Sequence, residues 1–150
     1  QYRGGLGYLF LESKVFELLS VYLSEVLELS ILSSNHISIS KSDRDSITEA
    51  KRIIDSQLAF APSCEELAKK VNISVSKLTK GFNSLFGTSV HAYIIDQRLE
   101  KAAGLLLESD LNVSQIAMLV GYSKPSNFAA AFKKKYGVIP KNYKDENTIG

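Results

Sequence analysis

Apolar residues recur at helical spacing along most of this chain, and two stretches repeat one pattern. The first stretch covers residues 66–87 and the second covers residues 115–137. Each begins as a short apolar helix, passes through a few turn residues and continues as a second helix with a bulky apolar residue at every fourth position. The offset between the copies is 49 residues up to Ser74 and 50 residues from Leu78 onwards. The spacing therefore predicts a helix, a tight turn and a helix, present twice.

Serine residues are expected to cap the starts of several helices. Ser42 precedes an amphipathic pattern, and Ser63-x-x-Glu66 is a capping box. Ser74 and Ser123 stand before the second helices of the two copies, where their side chains could accept from free backbone N–H groups. The helix behind Ser42 is expected to bury one face, formed by Ile47, Ala50, Ile54 and Leu58.

Residues that tolerate left-handed backbone mark the turns. Asn72 has the position in the first copy that Gly121 has in the second, and both residue types can adopt this conformation. Gly87 and Gly137 follow the second helices and are expected to end them. The second helices are expected to turn their largest apolar side chains inward: Leu78, Phe82, Leu85 and Phe86 in the first copy, and Phe128, Ala131, Phe132 and Tyr136 in the second.

A long helical pattern joins the two copies, from about Val90 to Ser109. At about 1.5 Å per residue it spans about 30 Å. Neighbouring major grooves on one face of B-DNA are about 34 Å apart. If the two copies read DNA, this helix is long enough to place them in successive grooves. A last short helix is expected from Pro140, because proline suits the first helical turn.

The beginning of the chain has a different character. Residues 8–32 form an apolar helical run that charged side chains interrupt, so it does not predict a membrane span. The run is apolar on nearly two faces and is expected to need a partner, either a second copy or an upstream domain. The chain begins with Gln1 rather than methionine, which favours a piece of a longer protein.

These patterns together predict six segments. They are the terminal helix of a truncated regulatory or dimerisation domain (1–34), a serine-rich linker (35–41), a first helix-turn-helix subdomain (42–87), a connecting helix (88–109), a second helix-turn-helix subdomain (110–144) and a tail (145–150).

The charge is uneven along the chain. The net charge is +2, but residues 1–40 carry a balance of −2 and residues 41–150 a balance of +4. A basic balance on the part with the repeats agrees weakly with a polyanionic partner. Cys64 is the single cysteine, which excludes an intramolecular disulfide and suits a reducing compartment.

Three longer sequence motifs indicate a resemblance to a known protein family. They are Tyr93-x-x-x-x-Arg98-Leu99-x-x-Ala102, Ile116-Ala117-x-x-Val120-Gly121-Tyr122-x-x-x-Ser126-x-Phe128-x-x-x-Phe132-Lys133 and Tyr136-Gly137-Val138-Ile139-Pro140-x-x-Tyr143-Lys144. With them, residues 42–144 resemble the DNA-binding domain of the AraC/XylS family of bacterial transcription regulators. The preceding residues would then end an upstream sensor or dimerisation domain.

The resemblance implies an all-α fold. Two homeodomain-like helix-turn-helix subdomains, with seven helices in all, would be joined by the long connecting helix and preceded by an extra amphipathic helix. It also implies a cytoplasmic, nucleoid-associated activator that binds double-stranded promoter or operator DNA and recruits RNA polymerase. No cofactor is expected for DNA binding.

The resemblance places five DNA-contacting residues on the first recognition helix. Ser76, Thr79 and Lys80 would enter the groove, with Lys77 and Asn83 nearer the DNA backbone. Lys80 could donate to guanine and Thr79 could touch a thymine methyl. Taken without the motif, the two lysines are better explained as a solvated helix face.

The second recognition helix offers fewer hydrogen-bonding groups. The corresponding positions are Pro125, Ser126, Asn127 and Ala130. Asn127 can bond adenine through two hydrogen bonds, whereas Ala130 stands where many family members present arginine. Lys134, in a run of three lysines, is expected to meet phosphate. Stabilisation of the helix C-terminus explains the same run equally well.

Catalytic and metal-binding patterns are not evident. Ser74-x-x-Lys77 lacks the partner motifs of a serine nucleophile, and His36 and His91 have no ligand-spaced companions. We therefore expect no enzyme and no metal. The alternative function is a protein-interaction module that self-associates through residues 8–32, with auxiliary nonspecific DNA binding and no membrane partner.

Overall fold

Every regular element that we can describe is helical. The computed structural model of the chain describes residues 15, 19–20, 22–23 and 38–148. Within the stretch from residue 38 these are α1 (Lys41–Ser56), a 3-10 turn (Leu58–Phe60), α2 (Cys64–Lys70), α3 (Val75–Phe86), α4 (Val90–Glu108), α5 (Val113–Leu119), α6 (Pro125–Tyr136) and α7 (Pro140–Thr148). The predicted all-α class with seven helices is confirmed for the described residues, which contain no strand.

Two compact units divide the chain, Gln1–Ser38 and Ile39–Gly150. Five of the six described residues of the first unit are helical, and four of these five are exposed apolar side chains: Val15, Leu19, Tyr22 and Leu23. The rest of the helix predicted over residues 8–32 lies outside the described residues.

The first core of the second unit lies between α1, α2 and α3. α1 buries Ile47, Ala50 and Ile54, as its pattern predicted, and α3 buries Leu78 and Phe82 against them. Leu58, predicted on the same helix face, is also buried but belongs to the 3-10 turn after α1. Gly81 of α3 makes this close approach possible, because a Cβ atom there would overlap the Ile47 side chain. The first helix-turn-helix, α2 and α3, thus rests on α1.

Aromatic rings dominate the second core, which lies between α5, α6 and α7. Phe128 and Phe132 of α6 are fully buried. The Phe132 ring centroid lies 5.6 Å from that of Phe128, 4.5 Å from that of Tyr136 and 5.3 Å from that of Tyr143 on α7. The closing phrase of the chain therefore serves to pack α7 beneath the second helix-turn-helix, α5 and α6.

Both cores share α4. Its first half gives Val90 and Ile94 to the first core, and its second half gives Leu99, Ala102 and Leu106 to the second. Ser89 caps its start by accepting from the Ala92 N–H at 3.1 Å. The 19-residue helix is continuous from one core to the other, so it is a single strut between the two subdomains.

Two predicted caps are wrong. α1 is capped by Ser40, whose hydroxyl accepts from the Asp43 N–H at 3.0 Å, and Ser42 lies inside the first turn. In α6 the cap position belongs to Lys124, which makes no side-chain cap bond, and Ser123 lies in the turn before it. Proline at the next position has no N–H that needs a partner, so a serine cap there has less to satisfy.

The change of offset between the copies comes from this turn. Residues 71–74 join α2 to α3 and end at the Ser74 cap, whereas residues 120–124 join α5 to α6. The second turn therefore holds the one extra residue. Asn72 (φ 56°) and Gly121 (φ 101°) both have positive φ, as predicted from their equivalent positions.

The remaining caps agree with the sequence. In the predicted capping box, the Glu66 N–H donates to the Ser63 hydroxyl at 3.2 Å and the Ser63 N–H donates to the Glu66 carboxylate at 3.0 Å. Gly87 and Gly137 end the recognition helices in the left-handed conformation. A second capping box, Asn112 with Gln115, begins α5 and was not predicted.

Candidate nucleic-acid interface

All ten predicted DNA-contacting residues are exposed. They are Ser76, Lys77, Thr79, Lys80 and Asn83 on α3, and Pro125, Ser126, Asn127, Ala130 and Lys134 on α6. At 3.6 residues per turn, Ser76, Thr79, Lys80 and Asn83 lie within about 100° of one another, which places them on one face of α3. The buried side chains Leu78 and Phe82 occupy a different face of this helix.

The stripe on α6 is equally regular. Ser126, Asn127, Ala130 and Lys134 lie within about 100° of one another at 3.6 residues per turn. Phe128 and Phe132 lie on the opposite side and are fully buried. Each recognition helix thus has one face held in its core and one face directed to solvent.

The polar groups on α3 are partly engaged. The Thr79 hydroxyl donates to the carbonyls of Val75 at 3.0 Å and Ser76 at 3.2 Å, in its own helix. The Lys77 ammonium lies 3.3 Å from the Asp43 carboxylate of α1, yet 60 % of its side chain is exposed. Lys80 forms no ion pair with any described residue, so its ammonium group is available to a ligand.

The three lysines that end α6 do not share one role. Lys135 turns toward α4, where its ammonium group lies 2.6 Å from the Asp96 carboxylate and 3.5 Å from that of Glu100. Burial alone would lower the pKa of Lys135, but the hydrogen bond and charge of Asp96, with the charge of Glu100, raise it overall. Lys134 is exposed and forms no ion pair with a described residue.

Residues considered for other chemistry have ordinary surroundings. Burial, together with the negative charge of Glu65, raises the pKa of the Cys64 thiol, which disfavours the reactive thiolate. His91 is exposed on α4. Among the described residues, no three His, Cys, Asp or Glu side chains are grouped as metal ligands would be. None of the described helices is long and apolar enough to cross a membrane.

A contact between the two helix-turn-helix units was missed from the sequence. Arg98 of α4 donates from Nε to the Leu58 carbonyl at 3.0 Å and from Nη2 to the Ala59 carbonyl at 3.3 Å. Its Nη1 donates to the Gly121 carbonyl at 3.4 Å, in the turn of the second helix-turn-helix subdomain. In the sequence, Arg98 is distinguished only as part of the motif Tyr93-x-x-x-x-Arg98-Leu99-x-x-Ala102.

The backbone of the second helix-turn-helix subdomain approaches that of the first subdomain closely beside this arginine. A Cβ atom on Gly121 would lie 2.6 Å from the Ala59 carbonyl oxygen and 2.9 Å from the Arg98 guanidinium carbon. The hydroxyl of the next residue, Tyr122, is buried without a hydrogen-bond partner. Burial raises the pKa of Tyr122, and the charge of Arg98 opposes that shift.

The chain is similar to helix-turn-helix proteins of known families. The sequence pattern of a family described as "Helix-turn-helix domain" matches residues 67–146. The xylose operon regulatory protein of Escherichia coli K12 is 32 % identical over 102 residues, which are 68 % of this chain and 26 % of that protein. The chain therefore matches about a quarter of that relative's length.

Two solved structures have the same arrangement of helices. The C-terminal domain of the two-component response regulator yesN from Fusobacterium nucleatum is 32 % identical, with a TM-score of 0.60, over 65 % of this chain and 95 % of that one. The DNA-binding domain of the global transcriptional factor AdpA, solved in complex with a target DNA, is 26 % identical, with a TM-score of 0.64. That match covers 67 % of this chain and 90 % of the other.

Proposed function

Since this chain belongs to the AraC/XylS family of helix-turn-helix transcription regulators, we propose that it binds promoter or operator DNA with α3 and α6 in two successive major grooves. The two exposed stripes, held by one continuous helix, support this proposal most directly. The 19 residues of α4 rise about 28 Å in all. That length is close to the groove repeat of about 34 Å.

The α3 stripe chooses bases. Lys80 donates to the O6 and N7 acceptors of guanine, and the methyl group of Thr79 meets the methyl of thymine. The Thr79 hydroxyl already donates to its own helix, which favours this apolar contact. The Ser76 hydroxyl can donate to or accept from a base and so does not select one base strongly. Lys77 and Asn83 reach phosphate or sugar oxygens and fix the position of the protein along the DNA.

The α6 stripe anchors more than it selects. Asn127 is the side chain suited to paired hydrogen bonds with adenine. Pro125, Ser126 and Ala130 present a small surface that can approach the groove closely without choosing a base. Lys134 neutralises a phosphate, since its neighbour Lys135 is held by Asp96 and Glu100.

We further propose that the protein is a cytoplasmic, nucleoid-associated activator that recruits RNA polymerase, with no cofactor required for DNA binding. Self-association through residues 8–32 belongs to the same proposal. The exposed residues Val15, Leu19, Tyr22 and Leu23 are spaced so that they share one helical face, as a dimer seam requires. Sedimentation of the chain over a concentration range tests this part, and a monomer at every concentration would refute it.

The DNA-binding proposal is tested by selection from random duplexes across a salt series. We expect two enriched boxes with centres about one helical turn, or about 10 base pairs, apart. One enriched box would show that α6 only anchors the protein. Steep salt dependence with no enriched sequence would instead leave nonspecific affinity, and the two-groove proposal would be wrong.

Lys80→Ala is expected to weaken binding to the selected site by about 1–3 kcal/mol and to relax the choice of base at one position. Lys134→Ala is the matched comparison, because it also removes one exposed cation from a recognition helix. It should weaken binding to all sequences alike and reduce the salt slope by about one. Fluorescence anisotropy on duplexes with each base at the affected position measures both effects. Equal losses on every duplex for Lys80→Ala would contradict its role as a base reader.

A further inference from the structure

Arg98 stands where the two cores meet on α4. The preceding buried residue, Ile94, belongs to the first core, and the next residue, Leu99, belongs to the second. From this position the guanidinium donates to Leu58 and Ala59 of the first subdomain and to Gly121 of the second. One side chain therefore reaches the backbone of both subdomains.

The chemistry of arginine suits such a junction. Its guanidinium is planar, permanently charged and carries five N–H donors in a fixed arrangement. Three carbonyl partners at different directions define both the position and the orientation of the groups around it. Because the contacts are partly buried, a lost bond is not fully replaced by water.

The backbones around Arg98 leave little room for sliding. A Cβ atom at Gly121 would meet Ala59 at 2.6 Å from the carbonyl oxygen and 3.0 Å from Cα. Moving a DNA box by one base pair shifts it by about 3.4 Å along the helix axis. Hydrogen bonds retain their strength over only about 0.5 Å of donor–acceptor distance. A displacement of one base pair is therefore larger than the bonds of Arg98, at 3.0–3.4 Å, could follow without breaking.

We propose that Arg98 is a positioning residue that fixes α3 relative to α6, and thereby sets the number of base pairs between the two DNA boxes that the protein accepts. The inference rests on the proposed function, because spacing has meaning only if both recognition helices bind. Lys135 has a different role, since its ion pairs tie α6 to Asp96 and Glu100 of α4 rather than to the first subdomain.

The test is a binding series on duplexes that carry both selected boxes at the preferred separation, one base pair closer and one base pair farther, with a single-box duplex as reference. The wild-type protein should prefer its own spacing by about tenfold or more, the size of a typical single base-pair penalty. Arg98→Ala should reduce this preference to about threefold or less and leave single-box affinity within about twofold. The spacing preference of Arg98→Lys should lie between those of the wild type and Arg98→Ala, because one ammonium group cannot reach three carbonyls as the guanidinium does.

The outcomes distinguish the positioning role of Arg98 from the two-groove DNA binding on which it rests. A spacing preference that stays equally sharp in Arg98→Ala and Arg98→Lys would overturn the inference and leave the two-groove proposal standing. Parallel losses on single-box and two-box duplexes, with a lower melting temperature, would mean that Arg98 only supports folding and would also overturn it. A wild-type protein with no preferred spacing would refute the two-groove proposal, and the inference with it. If Arg98→Ala does not fold, Arg98→Lys decides the result.

Discussion

Gly121→Ala is expected to lower the free energy of unfolding of the helix-turn-helix region by about 3–5 kcal/mol. Gly121 has φ 101°, a backbone conformation that L side chains rarely adopt. The added Cβ would also lie 2.6 Å from the Ala59 carbonyl oxygen, which is backbone and cannot turn away as a flexible side chain could. The substitution must therefore strain its own turn and push the two subdomains apart. Urea unfolding followed by far-UV circular dichroism measures the loss.

Gly137→Ala is the matched control. Gly137 also has positive φ, 80°, but a Cβ atom there would meet nothing within 4 Å. Only the backbone cost of about 1–2 kcal/mol should remain. An equal decrease in the free energy of unfolding for the two variants would mean that the close approach of Gly121 to Ala59 does not contribute to the cost of the substitution. A larger loss for Gly121→Ala, with a weaker preference for DNA spacing, would agree with a junction that needs this glycine.

Phe132→Ala is expected to cost about 3–5 kcal/mol of stability and to abolish recognition of the second DNA box. The ring is fully buried and lies against Phe128, Tyr136 and Tyr143, so its removal leaves a cavity where α6 and α7 meet. The exposed stripe of α6 depends on this buried face for its orientation. Thermal unfolding and binding to duplexes with either box altered measure the two consequences.

Phe60→Ala gives the control for the loss of an aromatic ring. Phe60 belongs to the 3-10 turn and is 87 % exposed. Its replacement should change stability by no more than about 0.5 kcal/mol. A loss for Phe132→Ala as small as that for Phe60→Ala would contradict the assignment of Phe132 to the core.

The helices could be predicted from the sequence because their boundaries depend on local chemistry. α4 was expected from Val90 to Ser109 and runs from Val90 to Glu108. The Ser42 prediction failed because Ser40 and Ser42 are the same residue type two positions apart, so the sequence offers two equivalent caps. The Ser123 prediction failed because the extra residue of the second copy lies in the turn rather than in the helix.

For the candidate site, the sequence predicts which residues are exposed but not which contacts hold the two helices in place. Exposed positions follow from helical periodicity, and the ten predicted residues are exposed. Their contacts with DNA stay a prediction. The ion pairs of Lys135 have a partial signature in the sequence, because Asp96 and Glu100 lie one turn apart on α4 and form an acidic pair. Arg98 carried none, because its partners are backbone carbonyls 23, 39 and 40 residues away, which any residue type provides.

The continuous α4 determines where this region can tolerate a change in chain length. An insertion of one residue between Ile94 and Leu99 would rotate everything beyond it by about 100° and advance it by about 1.5 Å. The buried residues of the second core would then face solvent, or α6 would change its orientation relative to α3. The turns before α3 and α6 already differ by one residue, although α3 and α6 are both 12 residues long. Insertions and deletions are therefore expected to be tolerated in the turns and excluded from α4, because the length of α4 sets the rotation of the second subdomain relative to the first.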